Sequence, residues 1–267
     1  PWCERKCPYC DFNSHEGFQT QFESQYIDSL LADLRSQRPW VNDRSVSSVF
    51  IGGGTPSLFS GESIEVLLSK MSLLVNLHKD AEVTLECNPS SALNHRFIDY
   101  RQAGVNRLSI GVQSFNAKLL KRLGRVHSPQ EAKQALSFAD SAGFNRWNID
   151  LMHGLPGQTA ESALEDLEQA FALVNGHLSW YQLTIERNTR FWSSPPILPT
   201  EEVLGSIQEQ GELFLRSVGL EQYEVSAFAT PGQECHHNLN YWNFGDYVGI
   251  GAGAHGKISS SSGSVIR

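Results

Sequence analysis

Cysteine is scarce in this 267-residue chain: there are five, and Cys3, Cys7 and Cys10 fall within eight residues. Five is odd, and three cannot pair among themselves. The pattern argues against a secreted disulfide scaffold and for a reducing, cytoplasmic setting. Basic charge is in deficit, with 21 Lys and Arg against 29 Asp and Glu and a net charge of −8. A generic binder of nucleic acid or polyphosphate would show the opposite imbalance, so no nucleic-acid partner is expected. Long apolar runs are missing too. None approaches the roughly 18 residues a membrane helix needs, so no transmembrane segment is expected, only peripheral contact with a membrane-bound partner. The chain opens Pro1-Trp2-Cys3 without a methionine and closes on the serine-rich run Ser259 to Ser264 and then Val265-Ile266-Arg267. The expectation is a piece of a longer protein, with the serine run a flexible surface loop.

What is present is a globular composition, 40% apolar and 19% charged. Strand-like segments alternate with helix-like ones. The strands are expected at Val46-Ile51, Glu82-Cys87, Arg107-Val112, Asn145-Leu151, Leu178-Ile185 and Gln222-Phe228. The helices are expected at Gln21-Arg38, Gly61-Leu74, Ser91-Ala103, Pro129-Ala142, Glu161-Val174 and Glu201-Val218. Ser128 before Pro129 and Thr159 before Glu161 read as N-caps, and Gly104 and Gly143 as helix-ending glycines. Such alternation implies an α/β fold with a mainly parallel sheet. Polar residues recur at strand C-termini: Gly52 to Thr55, Glu86, Gln113, Asp150, then Thr184 and Glu186. In a barrel these would converge on one mouth, which favours a partial barrel over an open doubly wound sheet.

Cys3-Glu-Arg-Lys-Cys7-Pro-Tyr-Cys10 has the spacing Cys-x3-Cys-x2-Cys. Three thiolates can hold three corners of a cubane iron–sulfur cluster and leave the fourth iron open to a small chelating molecule. Arg5 and Lys6 would help stabilise the thiolates. A structural zinc, with His15 as fourth ligand, or an unligated loop are the alternatives. Gly52-Gly53-Gly54-Thr55-Pro56 follows a strand, and its bare backbone can approach a ligand or simply make a tight turn. It is no P-loop, because no Gly-Lys-Ser/Thr follows. Near the C-terminus, Cys235-His236-His237-Asn238-Leu239-Asn240-Tyr241-Trp242 is expected in a loop. A neutral imidazole there could ligate heme iron, with aromatic rings against the porphyrin; a plain hydrogen-bonded histidine pair is the alternative.

The cysteine motif resembles that of the radical S-adenosylmethionine superfamily. The run Pro1-Trp2-Cys3 to His15 is similar to the branch that holds oxygen-independent coproporphyrinogen III oxidase and the heme chaperones related to it. The similarity continues through Gly52 to Ser57, Glu86 to Pro89, Gly104 to Phe115, Asp150 to Gln158, His237 to Trp242 and Gly249 to His255. The resemblance implies a (β/α)6 TIM-like partial barrel over 1–220, with its first strand before Pro1 bearing a tyrosine that contacts the nucleoside. It also implies a C-terminal extension over 221–267, continued beyond the chain. It implies a 4Fe-4S cluster on Cys3, Cys7 and Cys10, and S-adenosyl-L-methionine held by Tyr9, Gly53, Gly54, Thr55, Glu86, Gln113, Arg125 and Asp150. In that scheme the glycine loop takes the methionyl amine, Arg125 a carboxylate, Gln113 and Asp150 the ribose or its surroundings, and Tyr9 packs on the adenine. The His-Asn-x-x-Tyr-Trp signature resembles one associated with heme, which singles out His237, with His236 and Cys235 as alternates.

Two functions are implied. One is a heme chaperone that binds heme, a cluster and S-adenosylmethionine and delivers heme to an acceptor such as a respiratory cytochrome. The other is an oxidase of porphyrin biosynthesis, decarboxylating propionate side chains by radical chemistry. The oxidase pattern has a fourth cysteine two places after the third, where this chain has Phe12, and this favours the chaperone. Cys87 is expected to be a small buried residue, and His78, His95, His127, His153, His177 and His255 are assigned no role.

Overall fold

The computed structural model describes residues 1–41, 44–260 and 263–266. Its centre is a seven-stranded sheet. Four parallel pairings join β1 (Ser45–Ile51), β2 (Asn76–Cys87), β3 (Arg107–Gln113), β4 (Trp147–His153) and β5 (His177–Gln182) in chain order. Two short strands, β6 (Glu221–Gln222) and β7 (Ala227–Ala229), complete it in the order β5-β7-β6, with β7 antiparallel to both neighbours. Helices fill the connections: α1 (Glu23–Val41), α2 (Gly61–Ser72), α3 (Asn94–Gln102), α4 (Ala117–Arg122), α5 (Pro129–Ser141), α6 (Ala160–Phe171), α7 (Arg190–Ser193) and α8 (Glu201–Ser217). Beyond the sheet come α9 (His236–Trp242) and a hairpin of β8 (Lys257–Ser260) and β9 (Gly263–Ile266). This is the partial TIM-like barrel expected from the alternation of elements.

Side-chain alternation divides the sheet into two unlike faces. Val83, Leu85, Leu108, Ile110, Val112, Ile149, Leu151 and Leu178 join Ile64, Leu68, Phe97, Leu136 and Leu167 of the helices in one apolar core. The opposite, concave face carries Glu82, Thr84, Glu86, Arg107, Ser109, Asn148, Asp150, His177 and Ser179, aligned in register. The helices that close the outer face are well capped. Ser128 and Glu131 form a capping box on α5, with Pro129 in the first turn, and Thr159 and Ser162 do the same on α6. Gly104 and Gly143 take positive φ values of 107° and 78° just past α3 and α5, as expected of helix-ending glycines.

Four expectations need correction. The expected strand Gln222-Phe228 is a tight β6–β7 hairpin, because Tyr223 N–H bonds to Ala227 O at 3.2 Å and Ser226 N–H to the Glu224 carboxylate at 3.0 Å. The expected loop at Cys235-Trp242 is helix α9. The serine run is no simple loop: Ser259 and Ser260 lie in β8, and Asp246 fixes Ser259 through its N–H (2.9 Å) and hydroxyl (2.8 Å). Residues 261 and 262 lie outside the described residues. β5 also ends at Gln182, so Thr184 and Glu186 lie beyond the strand they were expected to close.

Candidate functional site

The cysteine loop is tied down at both ends. Cys3 N–H donates to His15 O (2.9 Å) and His15 N–H to Pro1 O (2.8 Å), closing the loop on itself. The Trp2 ring anchors it among Phe18, Phe22, Tyr26 and Phe59, with ring centroids 5.1 to 6.0 Å away. Trp2 O accepts from Thr55 N–H at 2.6 Å, which ties the glycine loop to the cysteine loop. A Cβ on Gly54 would collide with the Trp2 backbone, so this approach requires glycine. Cys3, Cys7 and Cys10 are all half-buried. Burial pushes the Cys10 thiol up, and the neighbouring Cys7 and Cys3 add to the shift, so the three sulfurs share one electrostatic neighbourhood. Lys6 is spent on Phe12 O (2.8 Å); the guanidinium that reaches a sulfur is Arg125, with Nη1 3.5 Å from Cys7 Sγ. His15, weighed as a zinc ligand, pairs its Nε2 with Asn13 Oδ1 at 3.2 Å. Among the described residues no three His, Cys, Asp or Glu side chains gather to hold a single metal ion. A cubane asks for a different arrangement, since each thiolate holds a different iron.

The mouth at the C-terminal strand ends gathers the other expected residues. Glu86 Oε2 accepts from Gly53 N–H at 3.0 Å, and Gly53 sits at φ 109°. Burial and the facing Asp150 carboxylate push Glu86 up to about 8, against the opposing pull of the Gly53 N–H. Asp150 is raised as well, chiefly by burial, although Ser109, Asn148 and Ser179 all donate to it. Gln113 holds φ 68°, a conformation of real cost for a residue with a side chain, and its Oε1 accepts from Tyr181 O–H at 2.8 Å. Arg125 Nη2 donates to Gly111 O at 2.8 Å, while its buried Nε has no partner. Tyr9 bonds Cys7 through its hydroxyl and lies 6.4 Å from Phe191, beside a second apolar cluster of Leu119, Leu123, Met152, Leu155 and Leu183.

Two facing carboxylates, an orphaned guanidinium N–H and a glycine cradle suit a ligand that brings cationic nitrogen or sulfur, a carboxylate and hydroxyl donors. S-adenosylmethionine has all of these. The residues present therefore fit the group.

Glu82, on the same face of β2 as Glu86, stands four residues and roughly 13 Å away at the far end of the concave face. It is almost fully buried. Its Oε2 pairs with Arg146 (2.9 Å) and Arg107 (3.6 Å). Its Oε1 accepts from His236 N–H (2.9 Å), His237 N–H (3.4 Å) and Cys235 Sγ (3.4 Å). These bonds satisfy the first N–H groups of α9, which explains a helix where local signals read as loop. The His237 ring stacks on Phe50 at 4.6 Å and meets Tyr241 edge-on at 4.9 Å. Burial lowers its pKa, only partly offset by Glu82, so it is a neutral imidazole with a lone pair to offer. Phe50, His237, Tyr241 and Tyr247 line a groove of about 1090 Å³ beside β1 that reaches Gly53 and Thr55. The structure thus assembles Cys3, Cys7, Cys10, Tyr9, Gly53, Gly54, Thr55, Glu86, Gln113, Arg125 and Asp150 at one end, and places His237 at the other. Sequence reading missed Glu82, Ser109 and Asn148, and gave His177 no role. Their signal was polar residues at every second position of β2 to β5, the mark of a polar concave face.

Comparison with known proteins agrees with this geometry. The Radical SAM superfamily model matches residues 1–170. The chain is 54% identical, over its whole length, to heme chaperone HemW of Escherichia coli (strain K12), of which it covers 71%. It is 40% identical over 97% of its length to the mitochondrial radical S-adenosyl methionine domain-containing protein 1 of Mus musculus, of which it covers 59%. The solved structure of coproporphyrinogen III oxidase (HemN) from Escherichia coli matches with a TM-score of 0.83 at 26% identity, over 97% of this chain and 63% of that one. The chain belongs to the radical SAM superfamily and, within it, to the family of the heme chaperone HemW.

Proposed function

We propose that this protein is a heme chaperone: it holds heme at α9 and passes it to an acceptor protein such as a respiratory cytochrome. The observation that carries this reading is the full-length similarity to HemW chaperones, 54% and 50% identical in two of them. The neutral His237 imidazole, set between Phe50 and Tyr241 on a groove with room for a flat ligand, supports it as the iron ligand. Membership of the radical SAM superfamily implies a 4Fe-4S cluster and S-adenosylmethionine. In our reading Cys3, Cys7 and Cys10 hold the cluster, which when bound supplies an iron open to chelation by an amino acid. Gly53, Gly54 and Thr55 orient the methionyl amine, Arg125 takes its carboxylate, Asp150 and Gln113 bind the ribose, and Tyr9 covers the adenine. Glu86 accepts from the cationic part of the ligand. Residues 1–220, their sheet completed by β6 and β7, would then form the nucleoside-binding barrel and the rest of 221–267 the heme-bearing extension, working in the cytoplasm. No helix among the described residues is long and apolar enough to cross a membrane.

A second reading, coproporphyrinogen III oxidase, is favoured by the TM-score of 0.83 to HemN. Phe12, half exposed beside the cysteine loop, stands where the oxidase motif carries a further cysteine. Heme titration of wild type and His237→Ala tests the first reading: about tenfold weaker binding and a shifted Soret band are expected, and identical titrations would remove His237. Anaerobic incubation with coproporphyrinogen III, reductant and S-adenosylmethionine tests the second, with robust vinyl product overturning the chaperone.

A further inference from the structure

Inside the curl of the sheet, hydrogen bonds run without interruption from Asp150 to α9. Ser109 Oγ donates to Asp150 Oδ2 at 3.0 Å and Asn148 Nδ2 to Asp150 Oδ1 at 2.6 Å. Asn148 Nδ2 also donates to Ser109 Oγ at 2.9 Å. With its amide nitrogen committed, Asn148 turns Oδ1 to His177 Nδ1 at 2.7 Å. An amide oxygen only accepts, so Nδ1 carries the proton. Burial, with Arg107 and Arg146 nearby, holds the His177 pKa well below its ordinary value and the ring neutral. Its Nε2 is therefore bare and accepts from Tyr223 O–H at 2.7 Å. The Tyr223 oxygen accepts in turn from Asn238 Nδ2 (3.2 Å) and Cys235 N–H (3.3 Å), one in α9 and one at its cap. Each group has one direction available, and the polarity runs from α9 to Asp150.

Counting lone pairs shows what a nucleoside does to this chain. A carboxylate offers about four acceptor positions. Ser109, Asn148 and Ser179 already fill three at Asp150. A ribose diol brings two more donors, and one must withdraw. Ser109 cannot yield alone, because its Oγ also accepts from Asn148 Nδ2 at 2.9 Å, so a withdrawal on that side of the carboxylate draws on Asn148. Asn148 cannot withdraw without freeing its amide, and with it the acceptor that fixes the His177 tautomer and hence the partner of Tyr223. We propose that a vicinal diol seated on Asp150 loosens α9 through Asn148, His177 and Tyr223, so that S-adenosylmethionine and heme oppose each other's binding. Nucleoside occupancy then acts as a release signal for heme. His177 and Tyr223 are positioning residues in this scheme, which rests on the placement of S-adenosylmethionine at the mouth and heme at His237.

The test is a heme titration of the anaerobically reconstituted protein, read at the Soret band, with and without saturating S-adenosylmethionine. Heme should bind at least about five-fold more weakly with the nucleoside present, and by linkage heme should weaken S-adenosylmethionine by the same factor. Tyr223→Phe should bring that ratio close to one, and His177→Gln serves where Tyr223→Phe does not fold. A purely structural role would lower affinity or melting temperature and leave the ratio intact. A wild-type ratio of one, or tighter heme binding with the nucleoside, with both ligands bound, overturns the coupling and leaves the two sites standing. Heme binding indifferent to His237→Ala, or no binding of S-adenosylmethionine, removes the sites themselves and the coupling with them.

Discussion

Glu82 and Glu86 lie on one strand, on one face, four residues apart, and live in opposite electrostatic worlds. Glu82 is partnered within the protein: two arginines lie in ion-pair range of Oε2, two backbone N–H groups donate to Oε1, and the Cys235 thiol adds a third donor. Glu86 has one N–H, from Gly53, and a second carboxylate facing it. Burial alone therefore does not mark function. A buried charge whose partners belong to the protein is an anchor, and one whose partners are missing is waiting for a ligand. The surroundings repeat the contrast. The far end is knit by the chain from Asn148 to Tyr223, while the mouth keeps strained backbone at Gln113.

The largest expected effect tests whether the mouth end is built around a cluster at all. Anaerobic reconstitution should give about four irons per chain, and the combined Cys3→Ser, Cys7→Ser, Cys10→Ser variant almost none. Iron retained by that variant, or zinc in place of iron in the wild type, would take the radical SAM chemistry away from this end and leave the comparison of the two glutamates without its functional half.

Next comes the anchor. Glu82→Gln removes the charge from between Arg107 and Arg146 and leaves two guanidiniums without their counter-ion. Breaking a buried pair in this way costs about 3–5 kcal/mol. The urea midpoint should drop accordingly, and heme affinity should fall with it, because an NH2 then faces two guanidiniums and the amide oxygen left for the α9 N–H groups is a weaker acceptor than a carboxylate. An unchanged midpoint would make Glu82 no more structural than Glu86.

The two ends were not equally legible in the sequence. The mouth announces itself in short contiguous motifs, Cys3 to Cys10 and Gly52 to Thr55, because a cluster and a close backbone approach demand particular residues at fixed spacing. Most strand starts and the helix caps were readable for the same local reason, but β2 begins at Asn76, six residues before the expected Glu82. The far end was not, because its logic is long-range. α9 has no side-chain cap of its own, and its acceptor, Glu82, lies 153 residues from Cys235. His177, given no role from sequence, is defined by Asn148 and Tyr223, 29 and 46 residues away. The broken strand at Gln222-Phe228 has a local cause, the Tyr223–Ser226 turn, in a run whose composition still reads as strand.

The smallest effect is also the most direct comparison of the two acids, because Glu86→Gln should do the reverse of Glu82→Gln. Glu86 titrates near 8 in the fold against an ordinary value of 4.5. Below about 4.5 it is protonated in folded and unfolded chains alike and contributes no slope. Between 4.5 and 8 the unfolded chain gives up the proton and the folded chain keeps it, so the native state binds more protons and stability falls as pH rises. Above 8 both forms are ionised and the penalty is complete. Glutamine carries no such proton. In the ligand-free protein, Glu86→Gln should therefore match wild type near pH 4.5 and gain on it steadily up to pH 8. Urea melts of the two proteins at pH 5 and pH 8 check this. Parallel stability curves would mean that Glu86 is already satisfied by groups of the protein, and the mouth would then have no unmet demand to draw a cationic ligand. Saturating S-adenosylmethionine should flatten the wild-type slope, since a cation beside Glu86 supplies in the folded state the partner that Gly53 alone does not.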